Sequence, residues 1–319
     1  MKNKLRLSSG NRKLLPVYIT FFVFMIINLV MDPSIMSNYK RLWPLSLQFV
    51  PLMLCAMSQT SIMLVGGINL ALGPAVSLMT TIAAVVMRDG FFGTTTGVLI
   101  VLGAGILTGV IMGAVVVYGR LPDIIVTLSF SYIWKGIALF ILPTPGGHIP
   151  PAYVKIMGNG KIFPIAFAIL AVVLLSWGLF RKTKLGLNIY AVGGNKKAAF
   201  GNGINVRRTK LMAYGIGGLL IGIAGLVVVG QTSSGDPNIA NVYSMNSIAA
   251  AVLGGVGFTG AIGQMKGAVM GAFIFTSIVN ILFFSGVSPF FQYIVQGGIL
   301  VVAIGLNAIS YYRKGGERD

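Results

Sequence analysis

"YAVGGNKKAAFGNGINVRR", residues 190–208, is a polar, basic, glycine-rich island in a chain that otherwise reads as apolar runs. Runs long enough for a helix lie on either side of it, at 162–180 and 211–229. Working outward, further runs occur at 15–31, 44–65, 71–87, 94–118, 122–142, 244–258, 267–285 and 289–309. A bilayer core takes about 20 residues of helix to cross. The spacing therefore predicts an all-α polytopic membrane protein of about ten transmembrane helices, or eight if two segments only dip in and out. Hydrophobic residues make up 55% of the chain and charged residues 9%, with a mean hydropathy of +0.87. A soluble domain carries about 25% charged residues. The whole length, 1–319, is expected to form one transmembrane domain, with no room for a soluble domain of ordinary size.

The net charge of +18 would suggest nucleic acid in a soluble protein. In a membrane protein it marks the cytoplasmic loops, so no nucleic-acid partner is expected. With the N-terminus inside and ten spans, eighteen Lys and Arg fall on one side: Lys2, Lys4, Arg6, Arg12, Lys13, Arg120, Arg181, Lys182, Lys184, Lys196, Lys197, Arg207, Arg208, Lys210, Lys266, Arg313, Lys314 and Arg318. Five fall on the other: Lys40, Arg41, Arg88, Lys155 and Lys161. That asymmetry predicts a multi-pass protein with both termini cytoplasmic. The N-terminal apolar run follows a basic head without a small-residue cleavage site, and is expected to be a first span. The opening stretch then belongs to the longest internal loop, about 181–210.

An internal echo accompanies this pattern. Residues 79–86 read MTTIAAVV and residues 245–252 read MNSIAAAV. The two fall in spans of opposite expected direction, each after a helix-breaking segment, GGINLALGP (66–74) and SSGDPNIAN (233–241). Such an arrangement is a candidate inverted repeat of the transporter kind. The 43 glycines suit close helix packing.

Catalytic and metal chemistry is sparse. Of the six acids, Asp32, Asp89, Asp236, Glu317 and Asp319 are placed outside the apolar runs and Asp123 at the very edge of one, so none is expected in the interior of a span. One His (His148) and one Cys (Cys55) supply no nucleophile–base arrangement, disulfide or metal cluster. No G-x-x-x-x-G-K-S/T loop is present, so the chain is not expected to cradle a nucleotide itself. Lys135 is the lone basic residue within an expected span; snorkelling or a backbone-carbonyl partner is the plainer reading and a place in a pathway the sharper one. The sequence thus points to a non-catalytic pathway whose energy comes from elsewhere, with the long basic loop as the place where a motor would act.

Four blocks carry a family resemblance. LGLNIYAVGGNKKAAFGNGINVRRTK (185–210) resembles the cytoplasmic loop of ribose/galactose-type ABC sugar permeases, importers related to branched-chain amino acid permeases. Gly186, Ala191, Gly193, Gly194, Asn195, Ala198, Ala199, Gly203 and Ile204 fall on its pattern. GGINLALGPAVSL (66–78), LPDIIVTLSFSYIWKGIAL (121–139) and SIAAAVLGGVGFTGAIGQMKGAVMGA (247–272) resemble three further blocks in the family's order. The resemblance implies a type II ABC importer-like permease in a bacterial-type inner membrane. Its expected partners are a cytoplasmic ABC ATPase, which holds ATP and Mg, an extracytoplasmic solute-binding protein, and a second permease copy or paralogue. It implies a monosaccharide as solute, with a nucleoside or an autoinducer-like sugar derivative as the alternative; an ion-driven secondary transporter is the competing class. By the same resemblance Gly193, Gly194, Asn195, Ala198, Ala199, Gly203 and Ile204 would form the ATPase-coupling element, with Asn195 capping a short helix that Gly201 ends. Asn69 and Asn246 stand where the family usually has Asp, and Lys135 where it has Arg. These three are the candidate pathway residues.

Overall fold

A computed structural model describes residues 15–31, 39–159 and 164–315. The basic N-terminal residues used for topology, together with Asp32, Lys161, Glu317, Arg318 and Asp319, lie outside the described residues. Among those described the chain is helical without a strand. The helices are α1 (Leu15–Met31), α2 (Leu42–Met63), α3 (Leu72–Val86), α4 (Phe91–Tyr118), α5 (Asp123–Ile141), α6 (Pro151–Asn159), α7 (Ile165–Phe180), α8 (Lys184–Gly194), α9 (Lys196–Gly201), α10 (Val206–Thr232), α11 (Tyr243–Leu253), α12 (Met265–Phe284) and α13 (Pro289–Gly315). Five of them, α2, α4, α5, α10 and α12, are long and apolar enough to cross a membrane. Helices α7 and α8 together pass the same test but are bent by 79° at their junction. Four shorter apolar helices, α1, α3, α11 and the first part of α13, complete the set. Each expected span therefore contains an apolar helix, although several are shorter than a bilayer requires on their own.

Helices α2 and α10 form the centre. Of the most apolar window in each, 89% and 72% respectively is buried inside the protein, against 22% for α5. The outer helices turn large apolar side chains outward, among them Phe22, Phe92, Leu99, Phe140, Leu175 and Phe291, as a lipid-facing surface does. The tightest seam joins α4 to α10. A Cβ on Gly105 would stand 2.6 Å from the Gly218 carbonyl oxygen and 2.9 Å from the Gly222 backbone. Glycines four residues apart on both helices let the two backbones touch.

The echo at 79–86 and 245–252 lies on α3 and α11. Both helices are short and begin inside the molecule after an irregular segment. Their N-termini meet in a reciprocal exchange. Ser77 Oγ of α3 accepts the Ala240 N–H at 3.0 Å, and Ser244 Oγ of α11 accepts the Gly73 N–H at 2.9 Å. Ser244 Oγ also donates to the Leu70 carbonyl (2.9 Å). Irregular backbone at membrane depth survives only when its polar groups find protein partners. Here short hydroxyl side chains provide them.

Candidate functional site

The loop at 181–210 is built around three side-chain caps. Thr183 Oγ1 accepts the Gly186 N–H (3.3 Å) and starts α8. Asn195, in extended conformation, ends α8 and starts α9, its Oδ1 accepting the Ala198 N–H (3.0 Å). Asn205 Oδ1 accepts the Arg208 N–H (3.0 Å) and starts α10. Such caps satisfy the orphan donors of a helix's first turn. Gly201 is the last residue of α9, as the sequence suggests, but the stop itself is made two residues later. Gly203, at φ +76°, donates to the Phe200 carbonyl (3.0 Å), and Ile204 donates to Ala199 (3.1 Å). This pair of bonds is the Schellman closure, which favours glycine at the left-handed position.

The sequence motif thus divides into two groups. Gly194, Asn195, Ala198 and Gly203 are exposed, whereas Ala199 is buried and Gly193 and Ile204 are half-buried. Phe200 stands 75% exposed on α9, next to Lys196 and Lys197. The family pattern carries no signal for Phe200; its size and exposure do. Gly193 faces the other way. Its backbone lies against Leu64 and Ala261, so that a Cβ there would overlap the Leu64 carbonyl oxygen and stand 2.7 Å from the Ala261 nitrogen. Ala261 N in turn donates to Leu64 O (3.0 Å). Gly193 is therefore wedged between two helix breaks, the one after α2 and the one between α11 and α12. Tyr190 and Arg181 fasten the same junction, through Tyr190 Oη to Gly263 O (3.4 Å) and Arg181 Nη1 to Gln264 Oε1 (3.1 Å). Burial pushes the Tyr190 phenol pKa up, with Arg181 pulling it back.

At the opposite end lies a groove between α1, α2, α11, α12 and α13. Three adjoining cavities of about 390, 280 and 280 Å³ make it up. Gln48, Val279, Asn280 and Gln292 line both the first and the second; Val242, Asn246, Tyr293 and Gln296 line both the second and the third. Of the three expected pathway residues, only Asn246 lines this groove. Asn69 is fully buried in the break before α3, its Oδ1 accepting the Ala71 N–H at 3.0 Å. With the Gln59 amide assigned in the orientation that matches donor to acceptor, it spans the Asn69 backbone, its nitrogen donating to the carbonyl (3.1 Å) and its oxygen accepting the N–H (3.2 Å). Lys135 is half-buried on α5. It has no hydrogen-bond partner among the described residues. His148, which has no acid near it in sequence, meets Asp89 across 59 residues, Nε2 to Oδ1 at 3.1 Å. That pair is exposed and has only two members, and among the described residues no three His, Cys, Asp or Glu side chains cluster as a metal site requires.

The profile of a family described as "Branched-chain amino acid transport system / permease component" matches residues 44–304. The chain belongs to this permease family. The permease is 30% identical over 319 residues to the galactose/methyl galactoside import permease protein of Salmonella typhimurium, covering 93% of this chain and 95% of that one. It is 32% identical over 300 residues to the ribose import permease protein of Bacillus subtilis, covering 91% of each. The xylose transport system permease protein of Escherichia coli is 42% identical over 148 residues, 46% of this chain and 38% of that one. No solved structure matches the permease significantly.

One buried ionic cluster of the permease escapes a reading of the sequence. Asp123, at the edge of the expected span 122–142, is the first residue of α5 and turns inward. Lys210 Nζ on α10 donates to both of its oxygens at 3.1 Å, and Tyr214 Oη donates to Oδ1 at 2.7 Å. The two charged side chains are 11% and 15% exposed. Gly67 passes so close that a Cβ would sit 2.8 Å from Asp123 Oδ1. Lys210 reads as a topology signal in the sequence. In the fold it ties α10 and α5 to the break after α2.

Proposed function

We propose that the permease is the membrane subunit of an ATP-driven ABC importer and that its solute is a monosaccharide. The observation that carries this reading is the match over 93% and 91% of the chain to permeases named for galactose/methyl galactoside and ribose import. On this reading each of ten apolar helices is one crossing of a bacterial-type inner membrane, with α7 leading into the bent helix α8. Both termini and the 181–210 loop face the cytoplasm, in keeping with the basic residues gathered there. The Ser77–Ala240 and Ser244–Gly73 exchange supports an inverted repeat centred on α3 and α11.

The motor is a separate ATPase, to which ATP and Mg belong. Its groove receives α9, with Phe200 as the apolar knob and Gly194, Asn195 and Ala198 as the surface around it. Gly193, Ala199 and Ile204 shape that element from within, and Gly203 closes its end. Gly193 then passes its movement to the two helix breaks it touches. An extracytoplasmic binding protein delivers the solute, and a second permease copy or paralogue completes the pathway. Asn246 has a place along that pathway, whereas the bonds of Asn69 support a role in shaping the break before α3.

Co-purification of the permease with the ATPase of its own transport system tests the reading. Wild type is expected to retain the ATPase through affinity purification, and Phe200→Ser to lose about tenfold of it while folding normally. Equal retention by both would refute the docking assignment. Accumulation of solute on an ion gradient without any ATPase would favour the secondary-transporter reading instead.

A further inference from the structure

We infer that the groove between α1, α2, α11, α12 and α13 is a solute-recognition surface built for an uncharged polyhydroxylated molecule, with Asn246 and Gln296 as its specificity-determining residues. This rests on the transport reading above and adds the site and its selectivity. Six carboxamides converge on the groove: Asn28, Gln48, Asn246, Asn280, Gln292 and Gln296. They come from five different apolar helices. Polar side chains within membrane helices are costly unless they are bonded or line a pathway. Some of this set is partly committed. Gln48 Nε2 donates to Asn280 Oδ1, Asn28 Nδ2 to Phe24 O (2.8 Å) and Gln292 Nε2 to Val287 O (2.9 Å). Their remaining amide atoms are left for a ligand. Asn246 and Gln296 have no side-chain partner among the described residues, and they line the same two adjoining cavities.

The lining chemistry limits the ligand. Among the described residues no carboxylate lines any of the three cavities, and Arg41 is the one cation there, at the end where α2 begins. An amino acid would bring an ammonium group with no counter-charge, at a large desolvation cost. A sugar hydroxyl both donates and accepts, as a carboxamide does, and it brings no charge. Tyr243 and Tyr293 line the second cavity, and an aromatic ring is a side chain on which the C–H faces of a pyranose or furanose can pack. The groove therefore suits a monosaccharide better than the branched-chain amino acids in the family's description. A site that hydrogen-bonds hydroxyls also discriminates strongly against analogues that lack them.

The test uses the assembled importer, permease with its ATPase and binding protein, in proteoliposomes. Labelled D-galactose, D-ribose, D-xylose and L-leucine are the probes. Asn246→Leu and Gln296→Met keep side-chain volume and remove hydrogen-bonding capacity. With no structural bond lost, both variants are expected to keep wild-type thermal unfolding. Uptake of the wild-type sugar is expected to fall about tenfold in each. The variants Asn246→Gln and Gln296→Asn, which retain a carboxamide, are expected to recover part of it. Wild-type sugar uptake that is unchanged in Asn246→Leu and Gln296→Met would overturn the groove assignment and leave the transport reading intact. Loss of thermal stability without loss of uptake per folded importer would overturn it too. Wild-type uptake of L-leucine in place of any sugar would overturn both.

Discussion

At the scale of single residues, Gly193 and Lys210 show how one letter carries two messages. Gly193 belongs to a motif that reads as an ATPase-facing loop, yet its constraint comes from behind, where Leu64 and Ala261 leave no room for a Cβ. Gly193→Ala forces backbone apart at both helix breaks, at a cost of about 1–3 kcal/mol for overpacking. Chemical unfolding in detergent should show that loss, and ATP turnover should continue with markedly less transport per ATP. An alanine variant with wild-type stability and transport would contradict the wedge. Lys210→Met leaves Asp123 buried without its cation, which costs about 3 kcal/mol when one partner of a buried pair is removed. Lys210→Met with Asp123→Asn should regain much of that stability. If Lys210→Met is as stable as wild type, the cluster is not structural. The Asn195 cap was legible from sequence, because capping is local. The Asp123–Lys210–Tyr214 contact was not, because it joins residues 87 and 91 positions apart.

At the scale of elements, the apolar runs were legible because a run of about 20 apolar residues has few other homes. Helices α2, α4, α5, α10 and α12 follow the expected spans closely. The sharp turn at 181–184 was less visible. The sequence places 181–210 as one loop, whereas the chain folds there into α8, bent 79° from α7, and then α9. Capping at Thr183 and Asn195 allows that compactness. The exposed ring of Phe200 gives the α9 element its testable surface. Phe200→Ser changes solvent exposure little inside the permease, so stability should stay within about 0.5 kcal/mol, the usual range for surface changes. Binding to the ATPase is where the loss should appear. The groove was legible only at Asn246; its other carboxamides come from α1, α2, α12 and α13, and no spacing rule connects them. Their common orientation appears only when the helices are packed.

At the scale of the whole molecule, the two ends of the permease carry different chemistry. One end holds the capped loop and the breaks it touches; the other holds the carboxamide groove. Central helices α2 and α10 run between them, fastened to each other by Ser58 Oγ to Gly217 O (2.8 Å) and Ser61 Oγ to Ala213 O (3.0 Å). In the proposed cycle, force applied at α9 reaches the groove through Gly193 and the break at the end of α2. The family membership of the chain rests on residues 44–304; ATP as energy source and a monosaccharide as solute are the proposal. The most direct test is uptake of labelled galactose, ribose and xylose into proteoliposomes holding permease, ATPase and binding protein. Accumulation of at least one sugar is expected, requiring ATP and stopping when the ATPase is omitted. Accumulation driven by an ion gradient with the ATPase absent, or no sugar flux in the complete system, would contradict it.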